Sequence, residues 1–238
     1  MIEVKNLTKL YGKFKAVDDV SLCAADGEVT ILLGPNGAGK STTIKSITNL
    51  LQYKGDIKIN GVANSSLDAK KGFGYIPEAP VLYDLLTIDE HVEFIGKAYR
   101  CENYRALADE YITLFKLEDK RKKAVRELSK GMKQKVMIIC AFIVNPSLFI
   151  VDEPFLGLDP LAISDLIELL AEEKANGKSI LMSTHVLDSA EKMCDRFVIL
   201  HHGQILAQGT IDELRQTFGD SSASLNDIYM QLTKGELS

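Results

Sequence analysis

The 238-residue chain has no closely spaced cysteines. Cys23, Cys101, Cys140 and Cys194 lie far apart, with no CxxC pair and no histidine at metal-ligand spacing. That argues against a cysteine-built metal or redox site and predicts reduced, mostly buried thiols. Long hydrophobic runs are also missing. The longest spans residues 136–144, well short of the roughly 18 apolar residues that a membrane-spanning helix requires. The opening Met1, Ile2, Glu3, Val4, Lys5 alternates as a strand does, without a basic start followed by an apolar stretch. The expectation is a chain that stays in the cytoplasm. Positive charge is not in excess: 28 Lys and Arg stand against 33 Asp and Glu, for a net charge of −5. This argues against binding nucleic acid through bulk electrostatics. Repeats and low-complexity stretches are lacking. What remains is an ordinary globular composition, 46% hydrophobic and 26% charged, long enough for one large α/β domain or a core with an inserted lobe.

The first third reads as strands over 2–7, 20–24, 28–33 and 55–59, with turns at Asp26-Gly27 and Asn60-Gly61. Over 88–123 apolar and aromatic residues take helical spacing, as in Val92, Ile95, Tyr99 and in Leu107, Tyr111, Leu114, Phe115. Strands over 148–151, 179–182 and 197–200 then alternate with helices over 162–174 and 187–194, the pattern of βαβ units on a parallel sheet. A helical insert therefore interrupts an α/β core. The chain closes with a hairpin at His202-Gly203, a helix over 211–218, and a capping box of Ser224 and Asp227 ahead of Ile228 and Leu232.

The most informative stretch is Gly34, Pro35, Asn36, Gly37, Ala38, Gly39, Lys40, Ser41, Thr42, which fills every fixed position of GxxxxGK[ST]. It follows an apolar strand and precedes an amphipathic helix (Ile44, Ile47, Leu50, Leu51). Glycines at these positions let the backbone curl and point several N–H groups at a polyphosphate at a helix N-terminus. Lys40 adds a point charge at the outer phosphates, and Ser41 offers a hydroxyl to the accompanying magnesium. The competing reading is a glycine-rich turn without a ligand. A second signal is Leu148, Phe149, Ile150, Val151, Asp152, Glu153, an apolar strand ending in two acids. Acids there face the ligand crevice of a parallel sheet. Asp152 is expected at the metal and Glu153 as the base that polarises the attacking water; two surface acids at a strand end are the alternative.

Leu128, Ser129, Lys130, Gly131, Met132, just ahead of that strand, resembles the LSGGQ signature of ATP-binding cassette (ABC) proteins. It keeps the Leu, the Ser and the second Gly, and departs at Lys130 and Met132. The other elements follow in the family's order. Tyr11 lies where the family places an aromatic that stacks on adenine, although a tyrosine at a strand end is equally a core residue. Gly157, Leu158, Asp159 resemble the D-loop that touches a second subunit, and Asp159 also suits an N-cap before Pro160. His185 resembles the switch histidine at the γ-phosphate. Glu78 stands where the family usually has a glutamine that senses phosphate and magnesium. A carboxylate there can still hold the metal, but brings negative charge near the phosphates.

This resemblance covers nearly the whole chain and is strongest to ATPase subunits of Ecs-type, ABC-2-like bacterial exporters. It implies an α/β P-loop NTPase (RecA-like) core, with an N-terminal antiparallel β subdomain and an inserted α-helical subdomain. The corresponding division is a core over 1–78 and 146–220, a helical insert over 79–145 and a tail over 221–238. It implies ATP and Mg2+ as ligands, with each nucleotide held between one chain's phosphate loop and the Ser129–Gly131 signature of a second, most simply identical chain. It also implies a separate integral membrane permease, so that the chain sits peripherally on the inner face of the membrane and drives export. Val81, Leu82, Tyr83, Leu85 and Leu86 would form the permease groove, or else pack on their own lobe. Two other readings stand beside this one. An ABC ATPase acting on nucleic acid or the ribosome usually has a coiled-coil insert or two cassettes, which this chain lacks. A regulatory module that binds ATP without hydrolysis is opposed by Glu153 and His185.

Overall fold

The structure, a computed structural model, describes residues 1–185, 194–218 and 222–234. The chain begins with a hairpin of β1 (Ile2–Tyr11) and β2 (Phe14–Ala24). Then β3 (Val29–Leu33) leads through the phosphate loop into α1 (Lys40–Ile47). Next come β4 (Lys54–Ile59), the short β5 (Val62–Ala63), α2 (Leu67–Lys71) and β6 (Phe73–Ile76). The helical insert holds α3 (Ile88–Ala98), α4 (Tyr104–Leu114) and α5 (Lys130–Phe142). The core resumes with β7 (Leu148–Asp152), α6 (Pro160–Ala175), β8 (Ser179–Thr184), β9 (Arg196–His201) and β10 (Gln204–Gly209). Two helices end the described chain, α7 (Ile211–Phe218) and α8 (Leu225–Lys234).

The strands form two sheets. One is antiparallel, in the order β2-β1-β4-β5; the other runs β10-β9-β3-β8-β7-β6. In the second, β6, β7, β8, β3 and β9 are mutually parallel and β10 is antiparallel to β9. The central strands β3, β7 and β8 are buried along their whole length, which explains why they read as unbroken apolar runs instead of alternating ones. Their alternate residues serve two cores. Val29, Ile31 and Leu33 join the helical insert and α6 in one. Leu32, Ile150 and Leu181 join α1 and the antiparallel sheet in the other. The parallel sheet is thus sandwiched, and the ends of β3, β7 and β8 open at one edge where ligands bind in such folds.

Several elements depart from the sequence expectations. The strand expected over 2–7 continues to Tyr11, and the one expected over 20–24 starts at Phe14. Register shifts between Val4 and Leu10, with positive φ at Asn6 and Asp19, break the alternation that would have marked the outer halves. The helical pattern over 88–123 resolves into α3 and α4, followed by a 3-10 turn at Glu118–Lys120. The helix expected over 187–194 lies outside the described residues except for Cys194. The Ser224–Asp227 capping box is present: Asp227 N donates to Ser224 Oγ at 3.2 Å and Ser224 N to Asp227 Oδ2 at 3.1 Å.

Candidate functional site

A cleft of about 580 Å³ opens at the ends of β3 and β7. The phosphate loop forms its floor. Gly39, with φ +102°, caps α1 from the left-handed region, and a Cβ there would lie 2.6 Å from the Ala16 carbonyl oxygen. Only glycine lets the loop lie this close to β2. Gly34 is tighter still, a Cβ falling 2.3 Å from the Leu200 carbonyl oxygen. The Lys40 ammonium is buried and directs its donors to three oxygens: Gly34 O at 2.8 Å, Pro35 O at 3.3 Å and Glu153 Oε1 at 3.2 Å.

The opposite wall comes from β7 and β8. In the parallel register Asp152 faces Ser183. Asp152 Oδ1 accepts from Ser183 Oγ at 2.6 Å and from Ser41 Oγ at 3.0 Å. Its other oxygen, Oδ2, is buried without a hydrogen-bond partner among the described residues. Burial pushes the Asp152 carboxyl up; the Ser183 and Ser41 hydroxyls pull it down, and Glu78 adds to the rise. Burial likewise raises the Tyr75 hydroxyl, helped by Asp152 and Glu78. A hydroxyl, a buried carboxylate with a free oxygen and a nearby second carboxylate form the hard oxygen set that suits Mg2+. Glu78 itself is exposed and lines the cleft.

Glu153 adopts φ +45°, unusual for a residue with a side chain. The conformation is held by its own N–H, which donates to Ser183 Oγ at 3.1 Å. Glu153 Oε2 lies 2.9 Å from His185 Nδ1. Because a carboxylate only accepts, Nδ1 carries the proton of this bond. Tyr11, paired with Phe14 across the β1–β2 turn, lines the other end of the cleft. Tyr11, Asn36, Gly37, Ala38, Gly39, Lys40, Ser41, Thr42, Glu78, Glu153 and His185 thus share one cavity, with Asp152 joined through Ser41.

Ser129, Gly131 and Asp159 do not line that cavity. They cluster elsewhere. Ser129 caps α5 by accepting from Met132 N at 3.3 Å. A Cβ on Gly131 would lie 2.5 Å from the Gly157 carbonyl oxygen, so the two loops touch backbone to backbone. Asp159 caps α6 through Ala162 N at 2.9 Å and accepts from Lys135 Nζ at 2.8 Å. The structure adds two residues that sequence reasoning did not single out. Ser183 orients both acids, a role legible only from the strand order. Gln134, fully buried on α5, donates from Nε2 to Pro77 O at 3.2 Å, beside Glu78; its polarity on an apolar helix face was the available signal.

The comparisons agree with this geometry. The ABC transporter family model matches residues 17–156. The chain is 46% identical over 239 residues to the ABC-type transporter ATP-binding protein EcsA of Bacillus subtilis, covering 98% of this chain and 97% of that one. It is 34% identical over 222 residues to the lipopolysaccharide export system ATP-binding protein LptB of Haemophilus influenzae, covering 90% and 92%. A solved ATP-binding subunit of an ABC transporter superposes with a TM-score of 0.91 at 46% identity, covering 98% of this chain and 99% of that one. A dimeric ATP-binding cassette in a post-hydrolysis state, bound to ADP and Pi, gives 0.79 at 28% identity, covering 89% and 99%. Phosphate loop, buried acids, fold and relatives converge: the chain belongs to the ABC transporter family, as an ATP-binding subunit that hydrolyses ATP.

Proposed function

We propose that the cleft works as half of an ATPase site completed by a second copy of the chain, and that it powers export through a separate membrane permease. The observation that carries this reading is the separation of two residue sets. Lys40, Glu153 and His185 meet in one cavity, with Asp152 joined through Ser41, whereas Ser129, Gly131 and Asp159 lie outside it, at the starts of α5 and α6 and on the contact between their two loops.

In this reading residues 34–42 bind the phosphates through backbone N–H groups, and Lys40 leaves Glu153 for the outer phosphates. Freed of that ion pair, Glu153 accepts a proton from the attacking water, which His185 helps to position. Ser41 and Asp152, with Glu78, would hold Mg2+, which when bound neutralises phosphate charge. The unpartnered Asp152 Oδ2 supports this fit. Tyr11 stacks on the adenine. The partner's Ser129 and Gly131 contact the same nucleotide from across the interface, and Asp159 touches the other chain. The division into a core over 1–78 and 146–220, a lobe over 79–145 and a tail over 221–238 belongs to the same proposal.

The permease is proposed to dock in a mainly apolar groove of about 500 Å³ on the helical insert, lined by Tyr83, Asp84, Leu85, Leu86 and Phe94. Among the described residues no helix is long and apolar enough to cross a membrane. The proposal puts the chain on the inner membrane face through that partner. Co-purification tests this: the tagged chain should bring down an integral membrane protein that resists a mild salt wash. Recovery of a ribosomal or nucleic-acid complex instead would overturn the transport reading. Cross-linking at the Ser129 loop tests the dimer, with ATP expected to raise the yield between two copies.

A further inference from the structure

The turn between β9 and β10 holds two residues, His202 at φ +45° and Gly203 at φ +80°, and Gln204 resumes the pairing opposite His201. Two positive φ values in succession are what a two-residue hairpin requires. The ladder of the hairpin uses the flanking residues, so the backbone polar groups of the central pair need partners from elsewhere. Gly203 finds both of its partners at the phosphate end. Its N–H donates to the Ala38 carbonyl of the phosphate loop at 3.1 Å, and its carbonyl accepts from Asp18 N on β2 at 2.8 Å. The approach is close: a Cβ on Gly203 would fall 2.8 Å from the Ala16 carbonyl oxygen, and one on Gly39 would lie 3.5 Å from the Gly203 Cα. Side chains tie the same junction. Gln204 Nε2 reaches Asp18 Oδ2 at 3.4 Å, while Lys15 Nζ donates to Asp18 Oδ1 at 2.8 Å.

Ala38 and Gly39 line the nucleotide cleft, and Gly203 does not. The turn therefore grips the loop from behind. The Ala38 N–H closes a bend onto Pro35 O at 3.1 Å, and the Ala38 carbonyl is held by Gly203. The peptide plane between Ala38 and Gly39 is thus fixed on both sides. In a trans peptide the C=O and the following N–H point in opposite directions. With its carbonyl partner turned toward Gly203, the Gly39 N–H is directed away from β10 and toward the cleft.

We propose that Gly203 is a positioning residue for the phosphate loop, which by holding the Ala38 carbonyl aims the Gly39 N–H at the phosphates of the bound nucleotide. This rests on the reading of residues 34–42 as the phosphate-binding segment and adds the element that shapes it. A donor already aimed needs no reordering when the ligand arrives, so the brace acts on affinity. An interaction made equally in the bound and transition states changes KM and leaves kcat alone.

The test removes the Gly203 N–H and nothing else. A chain assembled by ligation, with an ester in place of the amide between His202 and Gly203, keeps the turn but lacks its donor. It should bind ATP about tenfold more weakly, with KM raised by a similar factor and kcat within about twofold of the wild type. Gly203→Ala, which also drives a methyl against Ala16, should weaken ATP at least as much. The matched control is Gly61→Ala in the Asn60-Gly61 hairpin, where Gly61 has the same φ of +80° and an added Cβ meets nothing within 4 Å. That variant strains its turn without touching the phosphate loop, and its ATP affinity should equal that of the wild type. An ester chain that binds ATP as tightly as the wild type would overturn the proposal. So would an equal loss in Gly61→Ala, or a fall in kcat at unchanged KM. If the ester chain does not refold, Gly203→Ala against Gly61→Ala decides by the same criteria. Unimpaired ATP binding by Lys40→Ala would instead bring down the phosphate-loop reading itself.

Discussion

The phosphate end of the chain and the groove on its helical insert handle surface in opposite ways. At the phosphate end polar groups are taken out of water and matched: Lys40 is 5% exposed with three oxygen partners, and Glu153 is 8% exposed with a cation on one oxygen and an imidazole on the other. At the groove, apolar side chains are left in water. The first arrangement keeps charge in a low-dielectric setting where small displacements matter, as in the proposed exchange of Lys40 from carboxylate to phosphate. The second conserves unsatisfied apolar area for association. Chemistry and docking can therefore be damaged separately.

The largest effect is expected at Glu153. Glu153→Gln preserves shape and the neighbours Lys40 and His185, but an amide does not take the proton of the attacking water. Hydrolysis should fall about 10²- to 10⁴-fold with nucleotide binding retained, read by phosphate release beside equilibrium binding. A fall of less than tenfold would remove Glu153 as the base.

A smaller effect, on stability, sets the two regions directly against each other. Gly39→Ala puts a methyl 2.6 Å from the Ala16 carbonyl at φ +102°, and should cost about 1–3 kcal/mol in urea unfolding. Leu85→Ser removes an exposed side chain and should leave stability within about 0.5 kcal/mol, yet abolish capture of the membrane partner. If both variants unfolded at the same denaturant concentration as the wild type, the contrast between a close-packed end and a free end would not hold.

Much of the phosphate end was legible in the sequence because its chemistry is local. The loop at 34–42 occupies consecutive positions, and the two acids end an unbroken apolar strand. Elements defined by partners distant in the chain were not. Ser183 matters only because β8 pairs with β7 so that it faces Asp152, and no local pattern announces that pairing. The outer halves of β1 and β2 were hidden because bulged register destroys alternation. The strand β6, Phe73–Ile76, was missed because it is four residues long and contains Gly74, whose missing side chain leaves room for the Ala141 carbonyl.

The smallest effect is expected between the two ends, where Lys135 on α5 bonds Asp159 ahead of α6 at 2.8 Å. The Lys135 hydrogen bond, then the Ala162 N–H, hold the Asp159 carboxyl below its ordinary value of 3.8. Stability from these bonds is present above that value and is lost as pH falls through the lower folded one. Asp159 is half exposed although the Lys135 side chain is mostly covered, so the pair's worth is about 1 kcal/mol and is reduced by salt. Asp159→Asn isolates the ionic part, because the amide oxygen still accepts from Ala162 N and caps the helix. The variant should lose that small increment near pH 7 at low salt, and the difference should shrink in high salt and toward acid pH. A deficit that persisted undiminished in high salt would mean that the loss does not come from the charge of Asp159.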